Sequence, residues 1–210
     1  MTKYAKLATG LVVAWFVFSL AASALHLYRN GPNQPPIAVG LAVSLPIVAF
    51  FVWFAASPGF RQFTLSLDPR LLTLVQCWRI AGFVFLVLAA YGLLPGLFAW
   101  PAGFGDIFIA LTAPFVALLL ATPARRGSFL VWQVLGITDL VNAVALGTLA
   151  SVIDPHGIPT STMTVLPLSM IPTFGVPLLL IVHIISIAQA RRWPAQRLSP
   201  IGEQLHSPAV

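Results

Sequence analysis

Long apolar runs alternate with short polar turns along almost the whole chain. Each run has about 20 residues, the length that an α-helix needs to cross the hydrocarbon core of a bilayer. The pattern predicts an all-α bundle, a polytopic integral membrane protein of six transmembrane helices. We place these spans at about Leu7–Tyr28, Pro36–Ala56, Leu71–Leu94, Ala102–Ala121, Phe129–Ala150 and Leu166–Ala190. Residues 1–192 form the predicted transmembrane domain, and the Pro-rich, polar residues 193–210 form a predicted mobile cytoplasmic tail.

The composition supports this class. Of the 210 residues, 59% are hydrophobic and only 8% are charged, and the mean hydropathy is +0.94. A soluble domain has about 25% charged residues, so this chain has too little charge to cover a water-facing surface. The composition therefore excludes both a soluble globular protein and a disordered one.

Lysine and arginine are distributed unequally between the two sets of predicted loops. Arg29 is alone on one side, and Arg79 lies inside a span. The other nine are Lys3, Lys6, Arg61, Arg70, Arg125, Arg126, Arg191, Arg192 and Arg197. The positive-inside rule then predicts an inner (plasma) membrane protein with both termini in the cytoplasm. This topology and the attraction to anionic lipid explain the pI of about 10.5, so we expect no nucleic-acid partner.

The amino terminus allows a second interpretation. Lys3 and Lys6 precede an apolar run that ends in Ala22-Ser23-Ala24, which resembles a signal-peptidase site. Cleavage after Ala24 would leave five spans, with the amino terminus outside. Because the run is also long enough to be an uncleaved anchor, six spans is the preferred prediction.

Charged and histidine side chains inside the spans are the candidate functional residues. Insertion of such a group into hydrocarbon costs about 2.5–3.5 kcal/mol, so each needs a partner or a polar cavity. Arg79, Asp139 and His183 lie about 12–15 Å from the predicted cytoplasmic ends of their helices, and therefore in one layer. Neighbours three residues away add further polar groups to the same helix faces. These neighbours are Gln76, Asn142 and Ser186.

Two interpretations of this layer between the third, fifth and sixth spans stay open. Arg79 and Asp139 can form an ion pair that only joins helices, with His183 as a hydrogen-bonding neighbour. A buried ion pair is, however, often no more stabilising than apolar side chains, and helix packing does not require six polar residues. In the second interpretation, the layer is a binding site for a small polar or anionic ligand or for protons.

A second candidate site lies near the predicted outer face. Asp106 is in the first turn of the predicted fourth span, and Tyr91 and His26 are near the outer ends of the third and first spans. The alternative is that Asp106 only offsets the helix dipole and that His26 is an interfacial residue. In the sixth span, three prolines spaced by five residues predict a kink or an unwound stretch around Thr173-Phe174-Gly175.

The sequence favours no cofactor and no metal site. Cys77 is the single cysteine, which excludes an intramolecular disulfide and a cysteine-ligated metal site. Both lysines lie outside the spans, which excludes a Schiff base within the membrane. His183 and His26 are predicted at different depths, which disfavours a bis-histidine haem.

Three strings resemble those of uncharacterised bacterial multi-span membrane proteins. They are Leu74-Val75-Gln76-Cys77-Trp78-Arg79-Ile80-Ala81-Gly82, Pro101-Ala102-Gly103-Phe104-Gly105-Asp106 and Val176-Pro177 followed by His183-Ile184-Ile185-Ser186. The resemblance covers the third to sixth spans. It implies a fold of about six helices and supplies no activity, so no residue role is carried over.

Several functions are compatible with these residues. The first is a small transporter or channel-like protein, with Arg79, Asp139 and His183 around a cavity. The second is an accessory or scaffold subunit, acting as a homo-oligomer or with a partner subunit. The third is a quinone- or lipid-binding protein associated with redox chemistry. An enzyme is least favoured, because one histidine and one aspartate without a matching nucleophile form a thin catalytic set.

Cysteine labelling tests the predicted orientation. In a Cys77→Ser background, Asn33→Cys lies in a predicted outer loop and Gly127→Cys in a predicted cytoplasmic one. A membrane-impermeant maleimide added to intact cells should label the cysteine at position 33 and not the one at position 127, and detergent should expose both. The reverse pattern would overturn the orientation.

Overall fold

Helices account for all of the regular secondary structure in the computed structural model, which describes residues 3–29, 36–153 and 157–194. Six of the helices are long and apolar enough to cross a membrane, so the predicted all-α bundle is confirmed. We number these α1 to α6; they are Lys3–Ala24, Ile37–Ala56, Pro69–Ala90, Gly96–Leu120, Arg126–Ile153 and Ile171–Ala190. Apart from Trp193 and Pro194, the predicted tail lies outside the described residues.

The outside of the bundle is apolar, as a multi-pass membrane protein requires. Large side chains such as Phe18, Leu111 and Leu118 are 65–67% exposed. In water, such a surface would be strongly unfavourable, whereas in lipid it contacts hydrocarbon. The small interior therefore has to hold the bundle together through close helix contacts rather than through a large core.

Hydrogen bonds from Gln189 to the connection between α2 and α3 join the helices at the end of the bundle where α3 begins and α6 ends. A short helix, Pro58–Leu65, connects α2 to α3. The side-chain amide of Gln189 donates to the carbonyls of Thr64 and Leu67, at 3.2 Å and 2.8 Å. Asp68 caps α3, since its carboxylate accepts from the backbone amide of Arg70 at 2.8 Å.

The middle of α3 is a 3₁₀ segment, Gln76–Gly82. Side chains three residues apart eclipse one another in a 3₁₀-helix, whereas in an α-helix they are offset. Gln76, Arg79 and Gly82 therefore line up on one face of α3, and all three are buried. This local winding directs the polar residues of α3 toward the helices that pack on it.

The predicted break in α6 is a π-helical turn, Ile171–Gly175, rather than an unwound stretch. Pro177 has no N–H group, so the carbonyl of Thr173 lacks its usual helical partner. The Ser19 hydroxyl of α1 donates to that carbonyl at 3.5 Å. The Phe174 ring also packs on Trp15, with ring centroids 4.8 Å apart. The irregular turn of α6 is thus one place where α1 packs on the bundle, and the short helix Pro58–Leu65 is another.

Candidate functional site

A single arginine joins three helices at the centre of the bundle. The Arg79 guanidinium on α3 donates through Nε to Asp106 Oδ1 of α4 at 2.7 Å, and through Nη2 to Asp139 Oδ2 of α5. Its Nη1 donates to the Gly136 carbonyl of α5 at 3.2 Å. The Arg79 side chain is 1% exposed, so these protein groups replace its hydration. The predicted pairing of Arg79 with Asp139 is thus present, with Asp106 as a third member.

The presence of Asp106 in this layer corrects the prediction of an outer site. Helix α4 begins at Gly96, six residues before the predicted start of the fourth span. Asp106 therefore lies about 15 Å into its helix instead of in the first turn. Arg79 lies at a similar depth from either end of α3, which brings the two side chains together. Tyr91 and His26, the other members of the predicted outer site, are both exposed.

Three glycines make room for the ionisable side chains. A Cβ atom on Gly82 of α3 would overlap the Asp106 side chain, and one on Gly105 of α4 would overlap the Asp139 carboxylate. A Cβ atom on Gly136 of α5 would likewise overlap the His183 ring of α6. Each glycine thus receives a polar side chain from the next long helix in chain order.

His183 lies beside the arginine cluster and does not donate to it directly. Its Nδ1 is 2.5 Å from Gln133 Oε1 of α5, and its ring centroid is 5.7 Å from that of Trp132. Gly136 connects the two groups, because its carbonyl accepts from Arg79 while its Cα faces the His183 ring. Gln133 is not among the residues that the sequence pattern predicts for this layer. The signal was available, since Gln133, Gly136 and Asp139 are spaced by three residues on α5.

The other three predicted residues have different surroundings. Gln76 is buried and donates its amide to the Leu179 carbonyl of α6 at 3.3 Å. Ser186 is buried as well, but its hydroxyl donates within α6, to the Val182 carbonyl at 3.0 Å. Asn142 is exposed on the bundle surface, so its predicted place in the layer is wrong. Residues three positions apart point in directions that differ by about 60° around a helix. On α5 the residues that face the layer are Asp139 and those before it, Gln133 and Gly136, so Asn142, three residues after Asp139, is turned outward.

The polar layer is incompletely satisfied. Gln76 Oε1, Gln133 Nε2 and His183 Nε2 are buried, and none has a hydrogen-bond partner among the described residues. Buried polar atoms in proteins almost always have a partner, and an unpaired one costs about 1–3 kcal/mol. Four other described side chains, Ser23, Tyr28, Ser169 and Gln189, also have an unpaired buried atom, so this feature is not confined to the polar layer.

Two cavities meet at Asp106. The larger, about 250 Å³, lies between α1, α3 and α6, and Arg79 also lines it. The smaller, about 140 Å³, lies between α2, α4, α5 and the start of α6. Ile171 and Val176, at the two ends of the π-turn, line both cavities. Asp106 thus borders both cavities, as Phe85 and Leu140 do, whereas His183 lines neither.

The charges of the cluster do not balance. Two carboxylates face one guanidinium, and in the described part of the chain neither has an ion pair with another cation. His183, the titratable side chain beside this cluster, faces Gln133 and Gly136. The fully ionised cluster therefore has a net charge of −1 in a low-dielectric site, and binding one proton or one cation would neutralise it. No group of three or more metal-ligating side chains occurs among the described residues.

The charge count predicts unequal effects of substitutions. Arg79→Gln leaves two carboxylates without a cation and should lower the free energy of unfolding by about 3–5 kcal/mol. Asp106→Asn or Asp139→Asn leaves Arg79 with one carboxylate and should cost clearly less. The double Asn variant, which strands Arg79, should again be strongly destabilised. Thermal unfolding in detergent measures all four; equal effects of the three single substitutions would contradict the shared guanidinium.

The close contacts at the glycines predict how glycine-to-alanine substitutions change the stability of the protein. Gly105→Ala and Gly136→Ala introduce a Cβ atom into the Asp139 carboxylate and the His183 ring, and overpacking of this kind costs about 1–3 kcal/mol. Gly40→Ala is the matched control, because a Cβ atom there meets nothing within 4 Å. Alanine favours a helix over glycine by about 1 kcal/mol, so the control should melt at the same temperature as the wild type or higher. Similar melting of all three variants would show that the close contacts are absent.

Comparison with known proteins gives one match. Neither the curated proteins nor the solved structures contain a match to this chain. A family described as a domain of unknown function (DUF8737) matches residues 36–191. The matched range includes α2 to α6 and all four ionisable residues of the polar layer, and it begins after α1. The chain therefore belongs to the family described as a domain of unknown function, DUF8737.

Proposed function

We propose that this protein is a small proton-coupled carrier in the cell membrane, with both termini in the cytoplasm. The observation that carries the proposal is the sharing of one guanidinium, Arg79, by two carboxylates at the centre of the bundle. Such a cluster has a place for one proton, which Asp106 and Asp139 exchange between them or with a ligand. Intramembrane ionisable residues that line cavities are typical of proton and substrate pathways.

The surroundings of Asp106 support transport over static binding. Asp106 lines two adjoining cavities, which also share Phe85, Leu140, Ile171 and Val176 as lining residues. Carriers need access to one site from two directions, and interrupted helices often form such sites. Ile171 and Val176 border both cavities, so a small displacement of this turn would change access to each.

The arrangement favours a proton or a cation over the anionic ligand that the sequence suggested. Arg79 already donates from Nε, Nη1 and Nη2 to protein groups, and its side chain is almost fully buried. An anion would have to displace a carboxylate to reach it. A quinone site at His183 also has little support, because His183 is fully buried and lines neither cavity.

Infrared difference spectroscopy tests the proton site. A pH titration of the purified protein should show one buried carboxyl gaining a proton as the pH falls, through the carbonyl stretch of the acid form. Asp106→Asn and Asp139→Asn should each shift or remove this band. Asp68→Asn, at the exposed cap of α3, is the matched control and should leave it unchanged. A wild-type protein without a titrating buried carboxyl would contradict the proposal.

A scaffold role is the second candidate, since Arg79 ties α3, α4 and α5 together. The triple variant Arg79→Gln, Asp106→Asn, Asp139→Asn removes all of the charges while keeping side chains of similar size. A triple variant that unfolds more easily than the wild type favours the scaffold. A triple variant of equal or greater stability means that the charges are retained for a purpose other than folding.

A further inference from the structure

The larger cavity beside Asp106 has aromatic walls. Phe16 of α1, Trp78 and Phe85 of α3, and Phe174 of the α6 π-turn all line it. The electron-rich face of an aromatic ring attracts a cation that comes within about 6 Å of its centre. Several aromatic side chains around one space therefore favour a ligand that is both apolar and positively charged.

The more exposed of the two charged side chains that line this cavity is a carboxylate. The Asp106 side chain is 13% exposed and that of Arg79 is 1% exposed. The carboxylate is therefore the more accessible partner for a charged ligand. The excess negative charge of the cluster acts in the same direction, because it is poorly screened in an apolar setting.

The mouth of the cavity lies on the apolar outside of the bundle. Trp78 is 74% exposed and Phe16 is 42% exposed, and both are within the long apolar helices α3 and α1. In a bilayer these residues contact lipid. Access from the side selects a ligand that partitions into the membrane, which a small hydrated ion does not.

We propose that this cavity binds a lipophilic organic cation, such as a quaternary onium ion or a protonated amine with an apolar body. The cation places its charge beside the Asp106 carboxylate and its apolar groups among the aromatic rings. This inference rests on the proposed proton site, because the cation replaces a proton. The protonated carboxyl loses its proton to water, and the resulting carboxylate pairs with the cation, so that charge is conserved.

Calorimetric titration with tetraphenylphosphonium tests this proposal on the purified protein in detergent. Binding should be saturable. In the pH range where the carboxyl is protonated, the affinity should increase by up to about tenfold for each unit by which the pH rises, because each bound cation releases one proton. Titrations in two buffers of different ionisation enthalpy should give different binding enthalpies, and the difference should correspond to the release of one proton per bound cation. Tetraphenylborate, an anion of nearly the same shape, should bind at least tenfold more weakly. Equal binding of the two ions would overturn the proposal.

Variants assign the site. Asp106→Asn should abolish binding, and Asp106→Glu, which keeps the charge, should restore most of it if the loss is due to charge and not to folding. Trp78→Ala should weaken binding by at least fivefold, whereas Trp100→Ala, the matched tryptophan that does not line the cavity, should not. Tetraphenylphosphonium binding that is absent, or unaffected by Asp106→Asn and Trp78→Ala, would refute the cation site. A titrating buried carboxyl in that same protein would leave the proposed proton site intact, so the two failures are distinguishable.

Discussion

The desolvation of Arg79 is the constraint on which the bundle depends. A guanidinium in the middle of a membrane has no water to bind, so protein groups must take every place around it. Its three donors reach two helices besides its own, and those helices must come close enough to supply oxygen atoms. The glycines at positions 82, 105 and 136 permit this approach, because a Cβ atom at any of them would occupy the space of a polar side chain.

The sequence predicts the six helices and most members of the polar layer, because charges and amides are rare enough in apolar segments to be conspicuous. The position of Asp106 could not be predicted, because its depth depended on where α4 begins. Prolines inside α4, such as Pro101, looked like a helix start, yet α4 continues through Pro101 from Gly96. The prediction for Asn142 was wrong because it extended the layer from Asp139 toward the carboxyl end of α5 instead of toward its amino end. Spacing by three applies both ways along α5, and only packing on α6 decides that Gln133 faces inward.

The imbalance of charge and the unpaired polar atoms both lower the stability of the folded protein. Stability alone would favour one acid for one base and a partner for each buried amide. Here one carboxylate is in excess. Gln76, Gln133 and His183 each have an unpaired buried atom, as do four described side chains outside the layer. Departures from local rules of this kind are typical of functional sites, where stability is given up for another property. The excess carboxylate is thus the feature of the layer that helix attachment alone does not require.

The contacts around Arg79 also determine how the site would be coupled to the helices. Neutralising Asp106 with a proton or a cation weakens its attraction for Nε, which leaves Asp139 and the Gly136 carbonyl as the remaining partners of the guanidinium. Gly136 is at the same time the contact of the His183 ring on α6. A change in charge at Asp106 would therefore change the electrostatics at the contact between α5 and α6. In the proposed carrier, this series of contacts is the route by which occupancy of the carboxylate would affect the helices around it.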